Sequence, residues 1–122
     1  LELTRDIAAK FNTDFNTPGF FPLPEPVIQG PATRVMSLRD GSAKMSKSGE
    51  NPKGIVNLLD DPKVSAKRIR SAVTDSDGNI RYDREMKPGV SNLLAIQSAF
   101  TGRAIADIVA DYEGKMYGHL TK

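Results

Sequence analysis

Hydrophobic positions recur along this chain in three distinct rhythms. From Leu1 to Phe15 the apolar residues fall at Leu3, Ile7, Phe11 and Phe15, with Leu1 and Ala8 beside them. That spacing defines one face of an amphipathic helix. Asn16-Thr17-Pro18-Gly19 closes it. Prolines then stand at every second residue in Pro22-Leu23-Pro24-Glu25-Pro26, which forbids helix and favours an extended path. Because Phe20, Phe21 and Leu23 are interleaved with these prolines, the stretch reads as a stiff connection lying over apolar surface. A solvated proline-rich ligand would lack those large apolar residues.

After the turn Gln29-Gly30-Pro31, residues 32–38 read as a strand, with Val35, Met36 and Leu38 apolar. Its neighbours are loop and helix, so it is expected to pair with strands outside this chain. Residues 39–54 show no periodicity and end in the turn chemistry of Gly49-Glu50-Asn51-Pro52-Lys53-Gly54. Asp61 and Pro62 then supply an N-cap and a first helical residue for a helix expected to reach about Val73. Ala66, Ile69, Ala72 and Val73 share one of its faces; Lys63, Lys67, Arg68 and Arg70 crowd the other. A basic face of this kind suits RNA, and also suits plain solvation.

Residues 74–79 form a polar turn, and 80–83 read as extended. Pro88 opens a helix that is apolar almost all round, through Val90, Leu93, Leu94, Ile96, Ala99 and Phe100, and is therefore expected to be buried. Gly102 breaks it. A last helix is expected over 104–112, with Ile105, Ile108, Val109 and Tyr112 on one stripe and Gly114 at its C-terminal end.

Composition narrows the choices. The chain has 122 residues, 39% hydrophobic and 26% charged, enough for a modest core. No apolar run approaches the ~18 residues of a membrane span. Cysteine is absent, and His119 is the only histidine, so thiolate and multi-histidine metal sites are excluded. Asp75, Asp77 and Asn79 hint at a calcium loop, but Met86 stands where the later bidentate glutamate belongs. The net charge of +2 permits an anionic partner. The first helix begins in mid-pattern without an N-cap, so a longer protein is expected to surround this segment.

The strongest chemical signal is Lys44-Met45-Ser46-Lys47-Ser48, a cationic, hydroxyl-bearing loop at the carboxyl end of the expected strand, with Gly41 before it and Gly49 after. Two lysines are compact point charges on flexible stems. On a loop free to close they can neutralise charge developing on a polyphosphate, with Ser46 and Ser48 as further donors. Open α/β sheets hold nucleotides at this end of their strands.

These five residues also reproduce the second signature, KMSKS, of class I aminoacyl-tRNA synthetases. Four further blocks occur in family order: Leu1 to Ala8, Arg34 to Leu38, Gly89 to Leu94, and Tyr112 to Gly118. Together they make the chain resemble the central-to-late part of bacterial tryptophanyl-tRNA synthetases. Tyrosyl-tRNA synthetases are the nearest alternative, and a non-catalytic helical module binding RNA or protein is a second.

The resemblance implies an α/β fold. Residues 1–39 would be the end of the Rossmann-like nucleotide-binding domain, 40–54 the signature loop and linker, and 55–122 the start of a helical, anticodon-side domain, so that this chain is itself mainly α. It implies a ligase of protein biosynthesis that activates L-tryptophan with ATP and Mg²⁺ and charges tRNA(Trp). Such an enzyme would be a cytoplasmic homodimer without a membrane. Lys44 and Lys47 would clamp the pyrophosphate end of ATP, Ser46 and Ser48 would donate hydroxyls, and Val35 and Met45 would meet adenine through their backbones. The first class signature, His-x-Gly-His, and the tryptophan pocket are missing from these residues, so the segment alone is expected to be inactive.

Overall fold

The computed structural model describes residues 1–49 and 51–121. Glu50, part of the expected turn and of the expected mobile loop, and Lys122 lie outside the described residues. Among the described residues five α-helices follow one another: α1 (Glu2–Asp14), α2 (Pro62–Arg70), α3 (Pro88–Thr101), α4 (Ile105–Asp111) and α5 (Tyr117–Leu120), with one 3₁₀ turn at Pro52–Gly54.

α1 forms where the 3-4 spacing placed it. Asn16 ends it by adopting a left-handed backbone at φ 48°, a conformation asparagine tolerates better than most residues. The chain then doubles back along the helix. The side chain of Asn12 grips Phe21 from both sides: its amide nitrogen donates to the Phe21 carbonyl at 2.9 Å, and its oxygen accepts from the Phe21 N–H at 3.0 Å. Arg5 donates to the Pro24 carbonyl at 2.6 Å and pairs with Glu25 at 2.9 Å. Phe11 contacts Phe15 and Phe21 at ring-centroid distances of 4.5 and 4.8 Å. The proline stretch is thus a stiff connection strapped to α1. Leu3, Ile7 and Phe15 remain exposed.

The expected strand at 32–38 takes a different form. Its backbone partners lie within this chain, and its pairing is one antiparallel bridge, Met36 with Lys44. The Ser37 N–H donates to the Ala43 carbonyl at 2.8 Å, and the Met45 N–H donates to the Val35 carbonyl at 3.0 Å. Leu38 donates to Gly54 at 3.0 Å and accepts from the Val73 N–H at 2.8 Å. Part of the segment's backbone is thus satisfied from within this chain. Leu38 itself is buried.

α2 carries the predicted cap, the Asp61 carboxylate accepting from the Lys63 N–H at 2.7 Å. It ends at Arg70, three residues short of expectation, because Val73 is already hydrogen-bonded to Leu38. Arg68 turns inward to Asp60 and the Ile55 carbonyl, leaving Lys63, Lys67 and Arg70 exposed. α3 begins at Pro88 and stops at Gly102, whose φ of 68° and N–H bond to Ser98 close the last turn. It is buried through its first two turns, although Phe100 near its end is exposed. α4 folds back against α3 at 109°. Ile80, Val90, Leu94 and Ile108 form the core between them, covered by Tyr112, Tyr117 and Leu120. Among the described residues no single helix is long and apolar enough to cross a membrane.

Candidate functional site

The hairpin at residues 35–45 positions the lysine–serine loop. Its turn is built by Asp40, whose carboxylate accepts from the Ser42 N–H at 2.9 Å and the Ser42 hydroxyl at 2.6 Å. Those bonds, the hydroxyl's foremost, hold the Asp40 carboxyl below the usual carboxylate range. The return arm, Ala43 to Met45, runs antiparallel to Val35–Ser37. A second turn follows at once. The Gly49 N–H donates to the Ser46 carbonyl at 3.0 Å, and the Ser46 and Ser48 hydroxyls lie 3.0 Å apart. Asn51 then caps the 3₁₀ turn by accepting from the Lys53 N–H at 3.0 Å.

Each anticipated residue falls on this unit. Val35 and Met45 are joined backbone to backbone, and both are half-buried. Lys44 and Ser46 line a cavity of about 370 Å³ together with Arg39, Gly49 and Asn51. Lys47 and Ser48 are exposed on the turn beside it, outside its lining. The cavity offers two cations, Arg39 and Lys44, and the Ser46 hydroxyl as donors for phosphate oxygens, with the Asp40 carboxylate, already bonded to Ser42, also in its wall. Arg39, which donates to the Ser71 carbonyl at 2.7 Å, was not anticipated. It stands one residue past the expected strand, and nothing in the hydrophobic pattern marks it.

The loop's root is packed tightly. A Cβ on Gly41 would sit 2.6 Å from the Gly89 nitrogen, and one on Gly89 would sit 2.1 Å from the Val73 carbonyl oxygen. Only glycine permits these approaches. They bring the hairpin turn, the start of α3 and the end of the α2 segment into direct contact.

A second polar centre was also missed. Lys87, the residue before α3, is 2% exposed, and its amine reaches Asp75 at 3.0 Å, Asp77 at 2.7 Å and the Tyr117 hydroxyl at 2.9 Å. Burial pushes this amine toward neutrality, but the bonds to Asp77, Tyr117 and Asp75 more than reverse that and raise its pKa. Burial likewise pushes the Asp75 carboxyl up, while Tyr117, Lys87 and the Asp77 amide outweigh it and hold it at about 2. Tyr117 is shifted upward, by burial first and then by its bond to Asp75. The residues that hinted at calcium thus serve a lysine. Among the described residues no cluster of carboxylates or histidine is arranged to hold a metal.

A short cationic loop returning from a paired backbone segment, followed by a helical unit, is the arrangement expected of class I aminoacyl-tRNA synthetases. Residues 1–122 match the model of the family "tRNA synthetases class I (W and Y)", and the chain belongs to that family. Its relatives include tryptophan–tRNA ligases of Corynebacterium efficiens, 60% identical over 98% of this chain, and of Mycobacterium leprae, 52% identical over all of it. The chain spans about a third of these relatives, 34% and 35% of their lengths. The crystal structure of tryptophanyl-tRNA synthetase from Mycoplasma pneumoniae superposes with a TM-score of 0.87 at 34% identity, covering 98% of this chain and 37% of that one.

Proposed function

We propose that this chain is the part of a tryptophan–tRNA ligase that carries the pyrophosphate-side loop of its ATP site. One observation carries the reading. Lys44-Met45-Ser46-Lys47-Ser48 stands on a hairpin beside a cavity that Arg39, Lys44, Ser46 and Asp40 help line, within a sequence 60% identical to such a ligase. Residues 1–39 belong to the end of the nucleotide-binding domain, 40–54 to the loop and linker, and 55–122 to the helical domain.

In the activating step the tryptophan carboxylate oxygen bonds to the α-phosphorus of ATP. The bond from that phosphorus to the oxygen bridging the α- and β-phosphates breaks, and pyrophosphate leaves with the charge. The tryptophanyl group then passes to tRNA(Trp). Lys44 and Lys47 act where negative charge grows as pyrophosphate departs, so they favour the transition state over bound ATP. Ser46 and Ser48 donate to phosphate oxygens. The backbones of Val35 and Met45 flank the adenine.

Mg²⁺ would accompany ATP. The described residues offer cations and hydroxyls and no carboxylate cluster, so they do not fit a protein-bound magnesium, and no step is assigned to one. A homodimer and a cytoplasmic location rest on the resemblance alone.

The test is amino-acid-dependent ATP–pyrophosphate exchange by the full-length enzyme carrying this sequence. Exchange should require L-tryptophan, and L-tyrosine should not replace it. Exchange with tyrosine in place of tryptophan would overturn the reading. The 122-residue chain by itself should give none, since it supplies one flank of the ATP site.

A further inference from the structure

Asn92 lies in the first half of α3, 5% exposed, on a helix otherwise apolar over much of its surface. A buried primary amide needs partners, and it finds them 56 residues away. The Met36 N–H donates to its Oδ1 at 2.9 Å, and its Nδ2 donates to the Met36 carbonyl at 2.8 Å. The side chain therefore occupies both backbone hydrogen-bonding groups of one residue, as a neighbouring strand would. Met36 is the residue bridged to Lys44 across the hairpin. A few ångströms on, Gly41 packs against Pro88 and Gly89 in the first turn of the same helix.

We infer that Asn92 is a positioning residue for the lysine–serine loop. By gripping Met36 it fixes the arm on which Lys44 is paired, and so sets where the loop's cations stand when ATP is bound. α3 holds the loop's root at two points, one polar and one steric, while residues 46–49 beyond it are exposed. The inference rests on the proposed role of Lys44 and Lys47.

The test is a double-mutant cycle in the full-length enzyme, read as kcat and KM for ATP and tryptophan in pyrophosphate exchange. Asn92→Ala should lower kcat by roughly 10²-fold, the scale of a small misplacement of a catalytic group. KM for tryptophan should stay unchanged. In a Lys44→Ala background the same substitution should cost little more, because the group it positions is gone. Asn92→Asp keeps the acceptor for the Met36 N–H and loses the donor; it is the second variant should Asn92→Ala fold poorly, and it should show the same dependence on Lys44.

If Lys44→Ala lowers kcat while the Asn92 variants are silent, or multiply their loss undiminished onto it, the positioning inference fails and the site reading stands. A general loss of folded enzyme would give that multiplicative pattern. If Lys44→Ala leaves kcat intact, the site reading fails and the inference falls with it.

Discussion

The amine of Lys87 sits 3.0 Å from the Asp75 carboxylate at a place almost closed to water. Tyr117 completes the contact from the far end of the chain by donating to the same carboxylate. The turn at 74–79, the start of α3 and α5 are thereby tied at one point. Removing the lysine takes away the main partner of two partly exposed carboxylates and a hydroxyl. Lys87→Met should destabilise the fold by about 1–3 kcal/mol, measured by denaturant unfolding. Lys63→Met, on an exposed site of α2, should change it little.

The same cluster fixes a pH dependence. Asp75 titrates at about 2 in the folded protein, against an ordinary value of 3.8. A depressed carboxyl contributes stability that is complete above its unfolded pKa and is lost as pH falls through its folded one. Stability should therefore decline between pH 3.8 and about 2, and Asp75→Asn should flatten that limb. Tyr117→Phe, which removes a donor to the carboxylate, should move the loss to higher pH.

Glycine substitutions should separate by position. Gly41→Ala and Gly89→Ala place a Cβ against backbone atoms at 2.6 and 2.1 Å, which cannot yield as a flexible side chain would. Each should cost about 1–3 kcal/mol, as overpacking does. Gly118→Ala, in α5 with nothing within 4 Å, should be neutral or gain up to about 1 kcal/mol from helix propensity. Thermal unfolding of the three variants checks the order.

Much of this architecture was legible in the sequence. The spacing of Leu3, Ile7 and Phe11, the Asp61-Pro62 start and the Gly102 stop each encode a local preference that the fold honours. The segment at 32–38 was legible as extended but not in its partners, because an apolar run cannot say what satisfies its backbone; the hairpin and Asn92 supply part of that here. Asn92 carried a signal, a lone amide amid Leu93, Leu94 and Val90, although its partner lay 56 residues off. Lys87 carried none, since a lysine among aspartates reads as solvated surface until folding encloses it. α5, a single short turn, lies below what periodicity can detect.

Loop motion should have a sharp boundary. The amides of Ser37 and Met45 are bonded across the hairpin, while residues 46–49 are exposed and, among the described residues, hydrogen-bonded to one another. Hydrogen exchange in the full-length enzyme should be slow at Ser37 and Met45 with or without ATP. At Lys47 and Ser48 it should be fast without nucleotide and slower with it. Uniform protection across 41–49 in both states would contradict a closing loop.

The most direct measurement is the kinetics of Lys47→Ala in tryptophan-dependent pyrophosphate exchange by the full-length enzyme. A contact completed as pyrophosphate leaves should appear in kcat, which should fall by about 10²–10³, with a smaller change in KM for ATP. Lys63→Ala should leave both near the unmodified values, and transfer from preformed adenylate to tRNA should suffer less than activation. A Lys47→Ala enzyme with normal kcat and only weakened ATP binding would contradict the account, showing a loop that grips substrate equally before and during the reaction.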